Sequence, residues 1–135
     1  MNTLKKLLFV CSLILIMNIS ISSQPQEMIR ERKNFNKDWK FNLGDNSDAK
    51  SEGFSDVSWR TLNLPHDWSI EGKFDEKNPA TTGGGALPGG IGWYRKSFTL
   101  NSAYAEKQIY IEFDGVYLRS EVWINGHYLG KRPYG

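Results

Sequence analysis

The feature that most constrains the fold is a regular alternation of apolar and polar residues. Within residues 35–43 the large apolar side chains occupy odd positions: Phe35, Trp39, Phe41 and Leu43. A period of two is typical of a β-strand that buries one of its faces. The same alternation predicts further strands over 93–100 and 108–114. In the last of these strands, the inward-facing side chains would be Ile109, Ile111 and Phe113.

A hairpin is predicted close to the C-terminus of the chain. Asn125-Gly126 separates a β-prone run over 118–124 from another over 127–129. Asn-Gly favours a type I′ turn because that turn needs positive φ at both central residues. No amphipathic stretch of helical length follows residue 23. We therefore predict an all-β fold, a jelly-roll or galactose-binding-like β-sandwich that is incomplete at its C-terminus.

The first residues have the pattern of a secretory signal peptide. Two lysines precede an apolar run over 7–21, and Ser22-Ser23 follow it. An uncleaved membrane helix is the alternative, but a span needs about 20 apolar residues, and this run is shorter and has polar interruptions. We expect residues 1–23 to be removed. The mature protein would then be secreted or periplasmic, without a stable membrane anchor.

Behind the signal peptide we predict a mobile lead-in over 24–34 and one domain over 35–135. Cys11 is the only cysteine and lies in the signal peptide, so neither a disulfide nor a cysteine-bound metal is expected. His66 and His127 lack the spacing of metal ligands. The formal net charge is +2 without a basic stripe, which argues against nucleic acid as a partner. No cofactor is expected.

Residues 74–91 form a long segment rich in glycine and proline. Neither an α-helix nor a central strand tolerates that density of glycine and proline, so we predict an irregular loop. A loop of this length inside a compact domain is usually functional or disordered. The glycine run 83–85 does not predict a phosphate site, because no helix follows to present its N–H groups. This loop is the best candidate for a functional element.

Five sequence blocks occur in order along the mature chain. They are Phe35-Asn36 with Asp38-Trp39-Lys40-Phe41, Trp59-Arg60 with Leu64-Pro65-His66-Asp67-Trp68, Gly92-Trp93-Tyr94-Arg95-Lys96, Phe113-Asp114-Gly115-Val116, and Val122-Trp123-Ile124-Asn125-Gly126 with Leu129-Gly130. In these blocks the chain resembles the N-terminal sugar-binding domain of glycoside hydrolase family 2, which holds β-galactosidases, β-glucuronidases and β-mannosidases. The resemblance implies a jelly-roll domain, followed in a complete enzyme by an immunoglobulin-like domain and a TIM barrel.

The resemblance also implies where the chemistry lies. The family's two catalytic glutamates lie in the barrel, so no catalytic residue is expected in this chain. In the family, the loop that matches 74–91 reaches towards the active site, and an Asn in this loop contacts substrate in some β-galactosidases. Asn78 is the nearest equivalent, with Thr81 and Thr82 as further candidate substrate-binding residues. Residues 77–83 lack the aromatic-rich motif of those enzymes.

Two residue pairs invite a catalytic interpretation that the pattern does not favour. Glu112 and Asp114 share a strand face, but retaining hydrolysis needs two carboxyl groups roughly 5–5.5 Å apart, and outward charges are usually solvated. His66 and Asp67 resemble a base with its orienting carboxylate, but no nucleophile accompanies them. A local turn with side-chain caps is the preferred interpretation. Structural roles are therefore predicted for His66, Asp67, Trp68, Trp93, Asn125 and Gly126.

We predict that the chain is the truncated N-terminal portion of an exported, β-galactosidase-like hydrolase. Its parent would cleave terminal β-linked sugars by a retaining mechanism, and the full enzyme would bind the carbohydrate. The barrel of the same polypeptide would be the partner of this domain, which alone would be inactive. A free-standing carbohydrate-binding module or adhesin is the alternative, and a sandwich without a ligand is a third hypothesis.

Overall fold

The computed structural model describes residues 30–135. The predicted signal peptide (1–23), with Cys11, and residues 24–29 of the predicted lead-in lie outside the described residues. The chain divides into two units, and the described part of the first, residues 30–33, is irregular and exposed. The second unit, Asn34–Gly135, holds the strands described below.

Five strands form two antiparallel sheets in the second unit. They are β1 (Trp39–Leu43), β2 (Arg60–Leu62), β3 (Gly92–Arg95), β4 (Ser120–Ile124) and β5 (His127–Arg132). The first sheet has the order β2-β1-β3, and the second is the hairpin β4-β5. Four short 3-10 helices cover Ser47–Lys50, Trp68–Glu71, Thr82–Gly84 and Ser102–Tyr104. Residues 30–135 contain no α-helix, which confirms the all-β prediction. None of the described helices is long or apolar enough to cross a membrane.

The core of the first sheet is built around the central strand β1. Phe41 is 6% exposed, and its ring centroid lies 4.9 Å from the ring centroids of both His66 and Tyr94. Asp38 has a φ of 58°, so the strand begins only after it and leaves Phe35 outside the ladder. The predicted alternation therefore describes residues 39–43 and not the whole of 35–43.

The predicted hairpin is present. Asn125 and Gly126 have φ values of 50° and 78°, as a type I′ turn requires, and Ile124 pairs with His127. A bulge interrupts the ladder further along, because Val122 pairs with Gly130 while Trp123 pairs with Tyr128. The extra residue in β5 is therefore the one at position 129.

The predicted strand over 93–100 is wrong in its second half. β3 pairs only with β1, and the last pair of that ladder is Lys40 with Arg95. The chain that leads into β1 is not extended at Asp38, because its φ of 58° is incompatible with a strand. Within the part of the chain that the structure describes, residues 96–100 consequently pair with no strand.

The predicted strand over 108–114 is also wrong. This segment has no ladder partner among the described residues, and its apolar side chains are not buried. Ile109 and Phe113 are 46% and 45% exposed. Alternation predicts a strand only where a neighbour supplies cross-strand hydrogen bonds and side-chain pairs. Neither sheet in residues 30–135 presents such an edge to this segment.

Aromatic side chains connect the two sheets. Trp93 of β3 stacks on Trp123 of β4, with ring centroids 5.4 Å apart and an interplanar angle of 28°. Tyr128 of β5 also packs on Trp123, with the two ring centroids 5.4 Å apart. Offset stacking of this kind is a favourable geometry for aromatic pairs. The Trp93–Trp123 stack is a contact between the two sheets.

Candidate functional site

A polar cluster forms where β2, β3 and the 3-10 helix 68–71 meet. The Nη2 atom of Arg60 donates to both carboxylate oxygens of Glu71, at 3.0 and 2.7 Å. The Nε2 atom of His66 lies 2.9 Å from this Arg60 nitrogen and 3.1 Å from Glu71 Oε1. Its Nδ1 atom lies 2.8 Å from the hydroxyl of Tyr94. We call Arg60, His66, Glu71 and Tyr94 the histidine cluster.

The histidine cluster gives both ring nitrogens of His66 a partner in either protonation state. The neutral ring has two tautomers that fit these contacts: either Nδ1–H donates to the Tyr94 hydroxyl and Nε2 accepts from Arg60, or Nε2–H donates to Glu71 and Nδ1 accepts from the Tyr94 hydroxyl. In the charged ring, Nε2–H donates to Glu71. The ring is half-buried between Phe41 and Tyr94, so its orientation is fixed by packing as well. None of the four members is a nucleophilic Ser or Thr. The hydrogen bonds of the cluster connect β2, β3 and the 3-10 helix 68–71.

The surroundings of Glu71 and Tyr94 shift the pKa values of both groups. The guanidinium of Arg60 and, second, the imidazole of His66 hydrogen-bond to Glu71 and hold the pKa of its carboxyl below the usual range. Burial raises the pKa of Tyr94 to about 12, and the carboxylates of Asp67 and Glu71 add to this rise. At neutral pH, Glu71 is therefore ionised and Tyr94 keeps its proton.

Asp67 begins the 3-10 helix 68–71. Its Oδ1 atom accepts hydrogen bonds from the backbone N–H of Ser69 at 2.9 Å and from the Ser69 hydroxyl at 2.6 Å. These two bonds lower the pKa of the Asp67 carboxyl. A capping side chain of this kind satisfies backbone donors at a helix start. Asp67 thus serves as a cap, and Glu71 is the carboxylate that contacts the His66 ring.

Trp68 is the half-buried residue that links this helix to β3. A Cβ atom at Gly92 would lie 2.9 Å from Trp68 Nε1 and 3.1 Å from the Phe41 ring, so only glycine fits there without a shift. A Cβ at Gly72 would likewise overlap the ring of Pro88. Two glycines therefore allow the loop 74–91 and the indole to approach the sheet closely.

The loop 74–91 closes on itself at its base through Asn78. The Nδ2 atom of Asn78 donates to the carbonyl of Lys73 at 3.0 Å and to that of Ala86 at 2.8 Å. Both N–H bonds of the amide are thereby used at the neck of the loop, and the amide oxygen is the atom that remains for a ligand. The backbone N–H of Asp75 also donates to Ala86, which closes the same neck at 3.2 Å.

Thr81 and Thr82 lie at the tip of this loop, between the neck residues Asn78 and Ala86 in the chain. Both are exposed, and Thr81 has a φ of 52°, which is uncommon for a β-branched residue. The carbonyl of Thr81 accepts from the N–H of Ala86, and this bond closes a tight turn that contains the 3-10 helix 82–84. The backbone N–H of Thr81 donates to the carbonyl of Asn78 at 3.0 Å, but neither threonine is among the residues that line the cleft beside Asn78.

That cleft lies between β1 and the neck of the loop, and its volume is about 470 Å³. It is lined by Phe41, Leu43, Trp68, Glu71, Gly72, Lys73, Asn78 and Pro88. We call it the neck cleft. It combines aromatic and aliphatic walls with one carboxylate, one ammonium and one amide, as small-molecule sites commonly do. Sequence reasoning selected Asn78 and Trp68, but it missed Glu71 and Lys73.

The described residues contain no group of acids that would serve as a catalytic pair in the neck cleft. Glu71 is the one carboxylate in its lining, and Arg60 binds both of its oxygens. Across residues 30–135, no three His, Cys, Asp or Glu side chains come together as metal ligands would. Glu112 and Asp114, the other pair considered, belong to the segment without a ladder partner.

No protein-family model matches the chain. Among curated proteins, it is 62% identical over 106 residues to beta-galactosidase BoGH2A of Bacteroides ovatus, in an alignment that covers 78% of this chain and 12% of that protein. Other curated relatives are named beta-galactosidase or beta-glucuronidase.

Solved structures agree with the sequence relatives. A beta-glycosidase from Bacteroides vulgatus superposes with a TM-score of 0.76 at 55% identity, over 78% of this chain and 14% of that one. A glycosyl hydrolase family 2 member from Bacteroides cellulosilyticus gives 0.72 at 36% identity, over 76% of this chain and 14% of that one. The chain belongs to glycoside hydrolase family 2. The resemblance inferred from the five blocks is thereby confirmed, together with the β-sandwich class.

This family member spans a small part of its relatives. The chain matches about 12% of the length of the first curated relative and 14% of the first solved structure. It therefore corresponds to one domain-sized portion of large glycoside hydrolases. The neck cleft and the loop 74–91 belong to that portion. The names of the relatives describe the activities of the whole proteins.

Proposed function

We propose that the chain is the sugar-binding portion of an enzyme that hydrolyses terminal β-glycosidic bonds, with β-galactosides as the substrate class. The observation that carries this proposal is the 62% identity to a β-galactosidase over most of the described residues. Retaining hydrolysis needs two carboxyl groups roughly 5–5.5 Å apart. Because the carboxylate in the neck cleft is bound by Arg60, the proposal assigns both catalytic carboxylates to another domain of the same polypeptide.

In this proposal, the loop 74–91 forms one wall of the substrate pocket. The amide oxygen of Asn78 would accept a hydrogen bond from a sugar hydroxyl, because its N–H bonds are used at the loop neck. Thr81 and Thr82 would offer hydroxyl groups at the exposed tip. Carbohydrate would be the ligand of the whole enzyme, and the catalytic barrel would be the partner of this domain.

The proposal includes export to the periplasm or the medium, with removal of residues 1–23. The alternative of a free-standing carbohydrate-binding module or adhesin is not favoured, because the relatives are large glycoside hydrolases of which the chain matches a small part. Neither a cofactor nor a metal is required by two-carboxylate hydrolysis.

Activity assays on two proteins test the proposal. One is the longest polypeptide encoded in frame with this chain, and the other is the chain alone. With p-nitrophenyl β-galactoside, we expect turnover by the long polypeptide and none by the chain. Turnover by the chain alone would refute the assignment of the catalytic carboxylates to another domain. If the long polypeptide hydrolysed neither this galactoside nor p-nitrophenyl β-glucuronide, the hydrolase proposal would be refuted.

Substitutions in the loop test its role in the long polypeptide. We expect Thr82→Ala to lower kcat/KM about tenfold, the effect of one lost hydrogen bond to substrate. Thr99→Ala is the matched control, because Thr99 is also exposed but lies outside the loop. Equal kcat/KM values for the two variants would remove Thr82 from the site.

A further inference from the structure

We propose that Asn125-Gly126, the turn of the β4–β5 hairpin, is a site of spontaneous deamidation that converts the asparagine to aspartate and isoaspartate. Water is the only co-reactant. The proposal is independent of the proposed function, because it concerns the hairpin and not the loop 74–91 or the neck cleft. Asn125 is the only asparagine of the chain that precedes a glycine.

The nucleophile of the reaction is the backbone nitrogen of Gly126. This residue is exposed, and because it has no side chain, the approach to its nitrogen is open. The pair of Ile124 with His127 ends the ladder, so Gly126 lies outside it. Among residues 30–135, no carbonyl accepts a hydrogen bond from the Gly126 N–H. This nitrogen therefore reacts without first losing a bond to the protein.

The side-chain amide of Asn125 is the group that is attacked. Asn125 is exposed, and its amide forms no hydrogen bond within the part of the chain that the structure describes. Other asparagines are held in place. The amide of Asn78 donates to two carbonyls, and the Oδ1 atom of Asn101 accepts from the N–H of Ala103 at 2.9 Å. Exposure, a following glycine and a side chain without such bonds therefore coincide at Asn125.

The turn must open before the reaction takes place. In the closed type I′ turn, Asn125 has a φ of 50°, and this left-handed conformation directs the Gly126 nitrogen away from the asparagine side chain. β4 and β5 form a two-stranded sheet, and every residue of β5 except Gly130 is exposed. A two-stranded hairpin is marginally stable. Its turn therefore opens at a lower free-energy cost than global unfolding.

The chemical steps balance with water alone. The Gly126 nitrogen loses its proton and bonds to Cγ of Asn125, while the bond from Cγ to the side-chain nitrogen breaks and that nitrogen leaves as ammonia. A cyclic imide results. Water then opens the ring at either of its two carbonyls, which gives aspartate or isoaspartate. One water is consumed and one ammonia is released, without an oxidant or a reductant. Because the nitrogen must lose its proton, the rate rises with pH.

The two products differ in their effect on the hairpin. Both add one negative charge to the turn. Asp-Gly fits a type I′ turn as well as Asn-Gly does, so the aspartate leaves the hairpin intact. Isoaspartate leads the main chain through the former side-chain carbonyl and lengthens the turn by one backbone atom. Ile124 and His127 then lose their register, and Trp123 is no longer held against Trp93.

Timed incubation of the 135-residue chain tests the proposal. Trypsin cleaves after lysine and arginine, so it releases peptide 97–107 with Asn101 and peptide 120–131 with Asn125 as their only asparagines. We expect a mass gain of about 1 Da in peptide 120–131, faster at pH 8 than at pH 6. Its rate should be at least about tenfold higher than in peptide 97–107, where the bond of Asn101 to Ala103 must first break. Equal rates in the two peptides, or a rate without pH dependence, would overturn the proposal.

The variant Asn125→Asp separates the effect of the added charge from that of the longer main chain. It carries the same charge as the deamidated chain but keeps an ordinary backbone. NMR contacts (NOEs) between the rings of Trp93 and Trp123 should persist in this variant and disappear in the isoaspartate form, purified from the incubated chain. If these contacts survive in the isoaspartate form, or disappear in both proteins, the proposed effect of the extra backbone atom would be refuted.

Discussion

At the scale of single residues, Tyr94 shows how packing and hydrogen bonding reinforce each other. Its ring packs on Phe41, with ring centroids 4.9 Å apart, while its hydroxyl bonds to the ring of His66 at 2.8 Å. Burial removes water from the phenol, and the neighbouring carboxylates oppose its ionisation, which raises its pKa to about 12. The protonated phenol is thus part of the folded structure.

The raised pKa of Tyr94 predicts a loss of stability at alkaline pH. Below pH 10.0 the proton is bound in both the folded and the unfolded chain, and the contribution to stability is complete. Between pH 10.0 and about 12 the unfolded chain releases the proton first, so the free energy of unfolding falls. We expect this loss to be about 1 kcal/mol by pH 11, measured by urea denaturation. One pKa unit corresponds to about 1.4 kcal/mol, and screening by solvent at this half-buried phenol reduces that value.

Two variants separate the Tyr94 effect from general alkaline denaturation. Tyr94→Phe should be less stable than the wild type at pH 8 by about 1 kcal/mol, the value of one hydrogen bond, and its stability should fall less between pH 10 and 11. Tyr128→Phe is the control, because Tyr128 is 54% exposed and packs on Trp123. If the free energy of unfolding of Tyr94→Phe fell with pH as steeply as that of the wild type, ionisation of Tyr94 would not be the cause of the alkaline loss of stability.

At the scale of elements, the first sheet depends on close approach of the 3-10 helix 68–71. This approach is allowed by the missing side chain of Gly92, the first residue of β3. Trp68 and Phe41 fill the space that a Cβ atom would take, and Phe41 is one of the few buried residues. The glycine is therefore a packing requirement and not a source of flexibility.

The substitution Gly92→Ala tests this packing requirement. The added methyl would lie 2.9 Å from Trp68 Nε1 and 3.1 Å from Phe41 Cε2, so one of the rings must shift. We expect a loss of about 1–3 kcal/mol in the free energy of unfolding, the usual cost of overpacking. Gly53→Ala is the matched control, because its Cβ would meet nothing within 4 Å. Equal urea midpoints for the two variants would contradict this account.

At the scale of the whole molecule, the apolar residues of 109–118 are only partly covered. Tyr110 and Tyr117 are 80% and 86% exposed, and Ile109 and Phe113 are nearly half exposed. Buried apolar residues are few in the part of the chain that the structure describes: Phe41, Ala49 and Trp59. So many exposed large apolar side chains within ten residues are unusual for an isolated soluble domain.

The exposed segment predicts that the chain binds the hydrophobic dye ANS. We expect clear ANS fluorescence at neutral pH without denaturant, because Ile109 and Phe113 present apolar surface to solvent. The double variant Ile109→Thr with Phe113→Thr should lower this fluorescence about twofold or more, while Val57→Thr, at an isolated exposed valine, should not. Dye binding that is equal in all three proteins would place the apolar surface elsewhere.

The amino-acid sequence by itself determined the local features of this family member. Rules that act over a few residues account for three of these features: the hairpin at Asn125-Gly126, the cap at Asp67 and the strand 39–43. The five blocks, through their residues and their order along the chain, were enough to indicate the family. The irregular loop 74–91 was also predictable, because glycine and proline exclude regular elements whatever their surroundings.

Only the tertiary structure decided which strands pair and which side chains meet. The segments 96–100 and 108–114 alternate like strands, yet neither belongs to a ladder with another strand of residues 30–135. Glu71 and Tyr94 are separated in sequence, and only the fold brings them together around His66. The pairing of strands and the assembly of a site join residues that are far apart along the chain. A pattern within a few residues carries no information about which distant residues will be its neighbours.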